Sequence, residues 1–267
     1  MYPFAYCKAG TVEEAATLLA EDPDARLLAG GQSLVAAMKM RLASPSKLVD
    51  LGAIAPLRGI AVGGNAVTLG AMTRHREVAE SAEIRRALPA LAALAAGIGD
   101  RMVRNMGTCG GSIALSDPAA DYPAACLGLG ATIVTNRGRH EADGFFRAMY
   151  ETALDPGEIV TSVVFPIPLR AAYAKFRNPA SRYAIVGVFV ADFGGGRVRV
   201  AVTGAASSVF RVTAMEAALS QRFASDAIAS IRIPAAGLNA DLHADAGYRA
   251  HLVTVMARRA VDDCAQR

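Results

Sequence analysis

TCGGSIALSDPAADYP, Thr108 to Pro123, gathers adjacent glycines, hydroxyls and two spaced carboxylates into one turn-forming segment. Gly110 and Gly111 lack a Cβ, which frees φ and allows a ligand to come close to the main chain. The hydroxyls of Thr108 and Ser112 flank them, and the N–H groups of such a loop can converge on phosphate oxygens where a helix begins. Asp117 and Asp121, just beyond, suit a different partner. Carboxylates beside a phosphate cradle accept hydrogen bonds from ribose or ribityl hydroxyls.

A second stretch has the same build. RLLAGGQS, Arg26 to Ser33, is a short apolar run that stops at Gly30-Gly31 and passes through Gln32 and Ser33 into the helical pattern VAAMKMRLA. Paired glycines are often plain turns when they occur singly. Two such loops, each between a strand and a helix, match a pyrophosphate with its sugars, so the expected ligand is a dinucleotide. The doubly wound dinucleotide fold is excluded, because GxGxxG occurs at neither loop.

AGGQSL (Ala29 to Leu34), MKMRLASPSKLVDL (Met38 to Leu51) and GTCGGSIALSDPAADYPA (Gly107 to Ala124) resemble the FAD-binding medium subunits of molybdenum hydroxylases, the carbon monoxide dehydrogenase flavoprotein subunit in particular. The resemblance runs from PFAY near the amino terminus to MARRAV near the carboxy terminus. It implies an α+β chain: a two-part FAD-binding domain of the vanillyl-alcohol-oxidase (PCMH) type over 1–168, split into 1–57 and 58–168, and a small C-terminal α+β domain over 169–267. It also implies FAD as cofactor. Residue by residue, Ala29, Gly30, Gly31, Gln32, Ser33 and Leu34 fall on the first pyrophosphate loop. Thr108, Gly110, Gly111 and Ser112 fall on the second, and Asp121 on the ribityl-contacting acid. Ile98 and Gly99 fall beside the flavin, Lys175 at its edge and Tyr183 near its ring; a strand residue would read identically at these last two positions. Gln32 and Ser112 stand where some relatives carry His and Asn, which leaves the backbone contacts of the loops firmer than those two side-chain contacts.

Composition bounds the alternatives. With 267 residues, 53% of them apolar, 25 glycines and no tryptophan, the chain reads as a packed, glycine-punctuated α/β-type enzyme subunit of two domains. A net charge of +4 without a basic cluster does not argue for nucleic acid. Cys7, Cys109, Cys126 and Cys264 have no CxxC spacing, and His75, His140, His243 and His251 lie far apart, so neither an iron–sulfur cluster nor a zinc site is expected and no histidine is assigned a role. No leader or membrane-spanning pattern is present, and the expected location is the cytoplasm.

Along the chain, Thr11 with Glu14 forms a capping box for a short helix. Leu27 to Ala29 and Lys47 to Leu51 are expected strands around the first loop. Gly59 to Ala71 reads as a hairpin about Gly63-Gly64-Asn65, and Ser81 to Gly97 as helix broken at Pro89. A second hairpin is expected at Ala131 to Asp143, a strand at Glu158 to Phe165, and the domain boundary at Pro166 and Pro168. Beyond it, Ala172 to Phe176, Tyr183 to Asp192 and Arg197 to Thr203 alternate as strands, with Gly194-Gly195-Gly196 as a tight turn and an amphipathic helix at Ala246 to Ala265. Arg101 and Arg104 suit phosphate neutralisation but read at least as well as solvated or subunit-facing charges, and are placed outside the site.

No GxSxG is present and no catalytic residue is assigned, because the redox chemistry of a flavin belongs to the cofactor. Two function classes follow. The first, implied by the resemblance, is an electron-relay subunit working with a molybdopterin-binding large subunit and a [2Fe–2S] small subunit as a dimer of heterotrimers. The second is a free-standing flavoprotein. About 100 residues after the boundary leave little room for a substrate-binding cap, which favours the first.

Overall fold

A computed structural model describes residues 1–265. Its first layer begins with β1 (Ala5–Lys8) and α1 (Val12–Ala20), whose first turn is capped as expected, Thr11 Oγ1 accepting from the Glu14 N–H at 3.1 Å. Then come β2 (Arg26–Leu28), α2 (Leu34–Lys39) and β3 (Lys47–Asp50). Both β1 and β2 pair with β3 in parallel, giving the order β1-β3-β2. Parallel pairing requires a crossover, and the glycine loop with α2 supplies it between β2 and β3. Ala15, Val49, Leu51, Ile54 and Leu57 close a small core of their own.

The second layer is an antiparallel sheet. β4 (Ile60–Gly63) and β5 (Ala66–Gly70) form the expected hairpin, and Gly64 and Asn65 at φ +58° and +63° provide the two left-handed positions that a tight two-residue turn demands. Six short helices follow: α3 (His75–Glu80), α4 (Ala82–Ala87), α5 (Pro89–Ala96), α6 (Arg101–Met106), α7 (Cys109–Leu115) and α8 (Tyr122–Leu129). Pro89 is the first residue of α5, where a missing N–H is harmless, and so it divides two helices rather than kinking one. After β6 (Thr132–Thr135), β7 (Arg139–Glu141), α9 (Ala142–Phe145), β8 (Phe146–Ala148) and β9 (Glu151–Thr152), β10 (Val160–Pro166) threads the middle of the sheet, giving the order β4-β5-β10-β6-β7.

The third layer is an antiparallel sheet of β11 (Arg170–Arg177), β12 (Ala184–Asp192), β13 (Val198–Thr203) and β14 (Phe210–Arg211). Helices α10 (Thr213–Gln221) and α11 (Ala246–Ala265) complete it. All nine residues of β12 are buried, because the strand is covered on both faces. Val186, Val188 and Val190 join the core beneath α11, while Phe189 and Ala191 join the core of the second layer. Gly128 on α8 makes the second contact possible: a Cβ there would stand 2.7 Å from the Phe189 ring. This mixed α+β arrangement matches the expected fold class.

Candidate functional site

Both glycine loops open into one cavity of about 530 Å³ between the layers. It is lined by Ala29, Gly30, Gly31, Gln32, Ser33 and Leu34 from the first loop and by Thr108, Gly110, Gly111 and Ser112 from the second. Ile98, Gly99, Asp117, Asp121 and Tyr183 also line it, together with His75, Arg182 and Val103. Of the residues expected at the site, Lys175 alone is absent from the lining.

The loops reach this cavity because they touch each other. A Cβ on Gly30 would collide with the Met106 carbonyl oxygen and stand 2.7 Å from Gly107 Cα, so only glycine lets the first loop lie against the second. Gly31 follows at φ +69°, the left-handed region. The next backbone N–H groups, those of Gln32, Ser33 and Leu34, donate to no acceptor among the described residues, which leaves three donors grouped on one loop at the cavity wall. That is the chemistry of an anion cradle.

The second loop departs from expectation. Its N–H groups are already engaged: Cys109 N donates to Thr73 O at 3.0 Å, Gly110 N to Ala71 O at 2.8 Å, and Gly111 N to the Thr108 hydroxyl at 3.2 Å. Thr108 is therefore the N-cap of α7, and 4% exposed. Gly110 is helical and packs on Ala71, where a Cβ would stand 2.8 Å from Ala71 Cα. Its glycine serves close packing of α7 on the end of β5 rather than direct approach by a phosphate. What this loop offers a ligand is the Ser112 side chain and a wall without bulk.

The two aspartates differ. Asp117 accepts the Ala119 N–H at 2.9 Å, and burial raises its pKa. Asp121, 5% exposed, accepts the Tyr173 hydroxyl on Oδ1 and Lys175 Nζ on Oδ2 at 3.0 Å. Burial raises its pKa, against the pull of Lys175 and Tyr173. Lys175 spends its remaining reach on Gly97 O at 2.9 Å. It is thus set behind Asp121, not at the cavity edge: its side chain is 8% exposed and belongs to a β11 clamp joining the third layer to the second. Tyr183 is not in the strand; it precedes β12, lines the cavity and is 46% exposed.

Sequence reasoning missed three residues. His75 is a cavity residue, 5% exposed, with its Nδ1 unpartnered and its pKa lowered to about 4 by burial and by Arg104. The histidine gave no signal because the bond that places it, His75 N to Gly107 O at 3.0 Å, joins two distant segments. Arg104 donates from Nη1 to Ile98 O at 2.9 Å and Gly99 O at 3.1 Å, so it supports the cavity wall rather than standing as a solvated charge. Arg182 donates from Nη1 to Gly99 O at 3.4 Å.

These features fit a flavin dinucleotide: free N–H donors grouped on a glycine loop, carboxylates suited to hydroxyls, and an apolar wall including Ile98 in the same cavity. Comparison with known proteins agrees. Residues 2–168 match the family described as the FAD binding domain in molybdopterin dehydrogenase. The chain is 35% identical to the nicotine 6-hydroxylase medium subunit of Paenarthrobacter nicotinovorans, over 98% of this chain and 97% of that one. It is 34% identical to the carbon monoxide dehydrogenase medium chain of Hydrogenophaga pseudoflava, over 97% and 96%. A solved structure of reconstituted CO dehydrogenase from Oligotropha carboxidovorans superposes with a TM-score of 0.89 at 32% identity, covering 100% of both chains. The chain belongs to the FAD-binding medium subunits of the molybdenum hydroxylases; it is an oxidoreductase subunit, and FAD is its cofactor.

Proposed function

We propose that this chain is the electron-relay subunit of a molybdenum hydroxylase, receiving electrons from [2Fe–2S] clusters of a small partner and delivering them to an external acceptor. The observation that carries the reading is the single cavity in which both glycine loops, both aspartates and the Ile98–Gly99 wall meet. Bound FAD supplies the step between two-electron and one-electron chemistry. The protein supplies position. The N–H groups of Gln32, Ser33 and Leu34, with the Ser33 and Ser112 hydroxyls, hold the pyrophosphate. Asp117 and Asp121 accept from the ribose and ribityl hydroxyls, and Ile98, Gly99 and Tyr183 border the ring.

In this reading residues 1–168 form the FAD-binding unit, in parts 1–57 and 58–168, and 169–267 the C-terminal domain. A molybdopterin-binding large subunit selects and oxidises the substrate, and the assembly is a dimer of heterotrimers in the cytoplasm. One feature supports the partner assignment: the curated relatives are named as medium subunits. Among the described residues no helix is long and apolar enough to cross a membrane.

The test is expression with and without the partner chains. Alone, the protein should retain FAD and resist reduction by aldehydes, purines, N-heterocycles and carbon monoxide. With both partners, the flavin should bleach when the substrate is added. Rapid reduction of the isolated chain by a substrate would refute the relay reading in favour of a free-standing oxidase.

A further inference from the structure

The carbonyls of Gly97, Ile98 and Gly99 are all held by cationic side chains. Lys175 Nζ donates to Gly97 O at 2.9 Å, Arg104 Nη1 to Ile98 O at 2.9 Å and to Gly99 O at 3.1 Å, and Arg182 Nη1 to Gly99 O at 3.4 Å. These three side chains come from β11, α6 and the segment before β12, so both the second and the third layer contribute. Ile98 and Gly99 line the flavin cavity, as does Arg182. A run of three carbonyls would otherwise direct partial negative charge around this wall; the clamp draws it off.

The three cations are not equivalent. Lys175 is matched by Asp121 at 3.0 Å. Arg104 and Arg182 pair with no carboxylate among the described residues. The field of Arg104 reaches the cavity, because it helps depress the pKa of His75 on the lining. Arg182 sits at φ +63°, a left-handed backbone that few non-glycine residues adopt, held there by its own N–H to Asn178 O at 2.9 Å and by Asn178 N to Tyr183 O at 2.8 Å. The chain thus keeps an unfavourable conformation in the turn that carries Arg182 and Tyr183 to the same wall. Strain of this kind concentrates at functional sites.

We infer that Arg104 and Arg182 are positioning residues that fix the Ile98–Gly99 wall and make it electropositive, so that they raise the reduction potential of the bound flavin. Reduction adds negative charge to the ring, and preorganised cations at fixed distance favour the charged form at no reorganisation cost. The inference rests on the flavin reading of the cavity. Arg104 is half-buried and weakly screened, whereas Arg182 is exposed and its effect is smaller.

The measurement is the two-electron midpoint potential of the purified full-length chain loaded with FAD, equilibrated against a reference dye. Arg104→Gln should shift the oxidised-to-reduced ratio about tenfold toward oxidised flavin, which is about 30 mV for a two-electron couple. Arg182→Gln should shift it roughly threefold in the same direction by the weaker, screened field. Arg104→Lys and Arg182→Lys keep the charge and should stay near the parent, a rescue that a purely structural role would not produce. Potentials unchanged in both glutamine variants, or lysine variants displaced as far as the glutamine ones, would overturn the assignment. Should Arg104→Gln lose its flavin, the exposed Arg182 pair still decides the matter. A parent chain that retains no FAD would refute the flavin reading itself, a distinct failure.

Discussion

Lys175 Nζ lies 3.0 Å from Asp121 Oδ2, and the two groups, 54 residues apart in sequence, are 8% and 5% exposed. A buried pair of this kind is costly to break from one side, since the remaining carboxylate keeps the Tyr173 hydroxyl but has no opposite charge. Lys175→Met should therefore destabilise the chain, with or without FAD, by about 3–5 kcal/mol. Combining it with Asp121→Asn should recover part of the loss, because the uncompensated carboxylate disappears. Urea unfolding of the two singles and the double measures this. Wild-type stability in Lys175→Met would show that the pair does not join the layers.

His75 makes the fold acid-sensitive in a defined window. Its folded pKa, lowered to about 4 by burial and by Arg104, lies below the ordinary 6.5. Above 6.5 both the folded and unfolded chains carry it neutral, and nothing is lost. As pH falls through 6.5 the unfolded chain takes up a proton that the folded chain refuses, so stability declines until about pH 4 and then levels off. The loss amounts to roughly 3 kcal/mol. His75→Gln should abolish this decline between pH 6.5 and 4 in thermal unfolding, and a parallel decline in the variant would clear His75 of it.

The first glycine loop is legible because its signal is local: Gly30-Gly31 follows β2 and precedes α2 within a few residues, whereas Gly110-Gly111, expected between a strand and a helix, lie inside α7. β12 is legible as a strand for the same reason, though it is expected to alternate and to begin at Tyr183, whereas it begins at Ala184 and buries all nine of its residues. The roles of individual groups are not. The second loop looks like an anion cradle until its N–H groups are traced to Ala71 and Thr73, which arrive from the β4–β5 hairpin. Lys175 at a flavin edge and Lys175 behind Asp121 are the same letter in the same strand. Arg104 reads as surface charge because the carbonyls it grips, Ile98 and Gly99, show no preference in their own side chains. What failed in each case was a pairing set by tertiary approach.

Glu158 supplies a second, separate pH window. Burial alone would raise its pKa, but the Thr135 hydroxyl, His140 and the Asp155 N–H hold the ionised form, and the pKa falls to about 2. Thr135 Oγ1 stands 2.5 Å and His140 Nε2 2.7 Å from Oε1, and the Asp155 N–H 2.9 Å from Oε2. A lowered carboxylate contributes stability above its ordinary value, and that contribution is lost as pH falls through the folded value. Glu158→Gln should cost roughly 2–3 kcal/mol at pH 7 and converge with the parent between about pH 4.5 and 2. Paired denaturation curves from pH 7 to 2 check it; a constant difference would remove the charge from the explanation.

Gly30 and Gly110 should behave differently although both belong to glycine pairs. A methyl on Gly30 meets Met106 O and Gly107 Cα, all backbone, so Gly30→Ala must separate the two loops and with them the halves of the cavity. FAD affinity should fall by about 1–3 kcal/mol, the usual cost of forcing an extra methyl into a packed contact, seen as a roughly five- to 150-fold higher dissociation constant. A methyl on Gly110 instead meets Ala71, away from the free N–H groups of Gln32, Ser33 and Leu34. Gly110→Ala should therefore reduce the stability of the apoprotein by a similar amount while affecting FAD less. Gly138→Ala is the control, since nothing lies within 4 Å of its added carbon. Flavin fluorescence titration, set beside thermal unfolding of the same apoproteins, separates the two effects. If Gly30→Ala bound FAD as the parent does, contact between the loops would have no part in building the site.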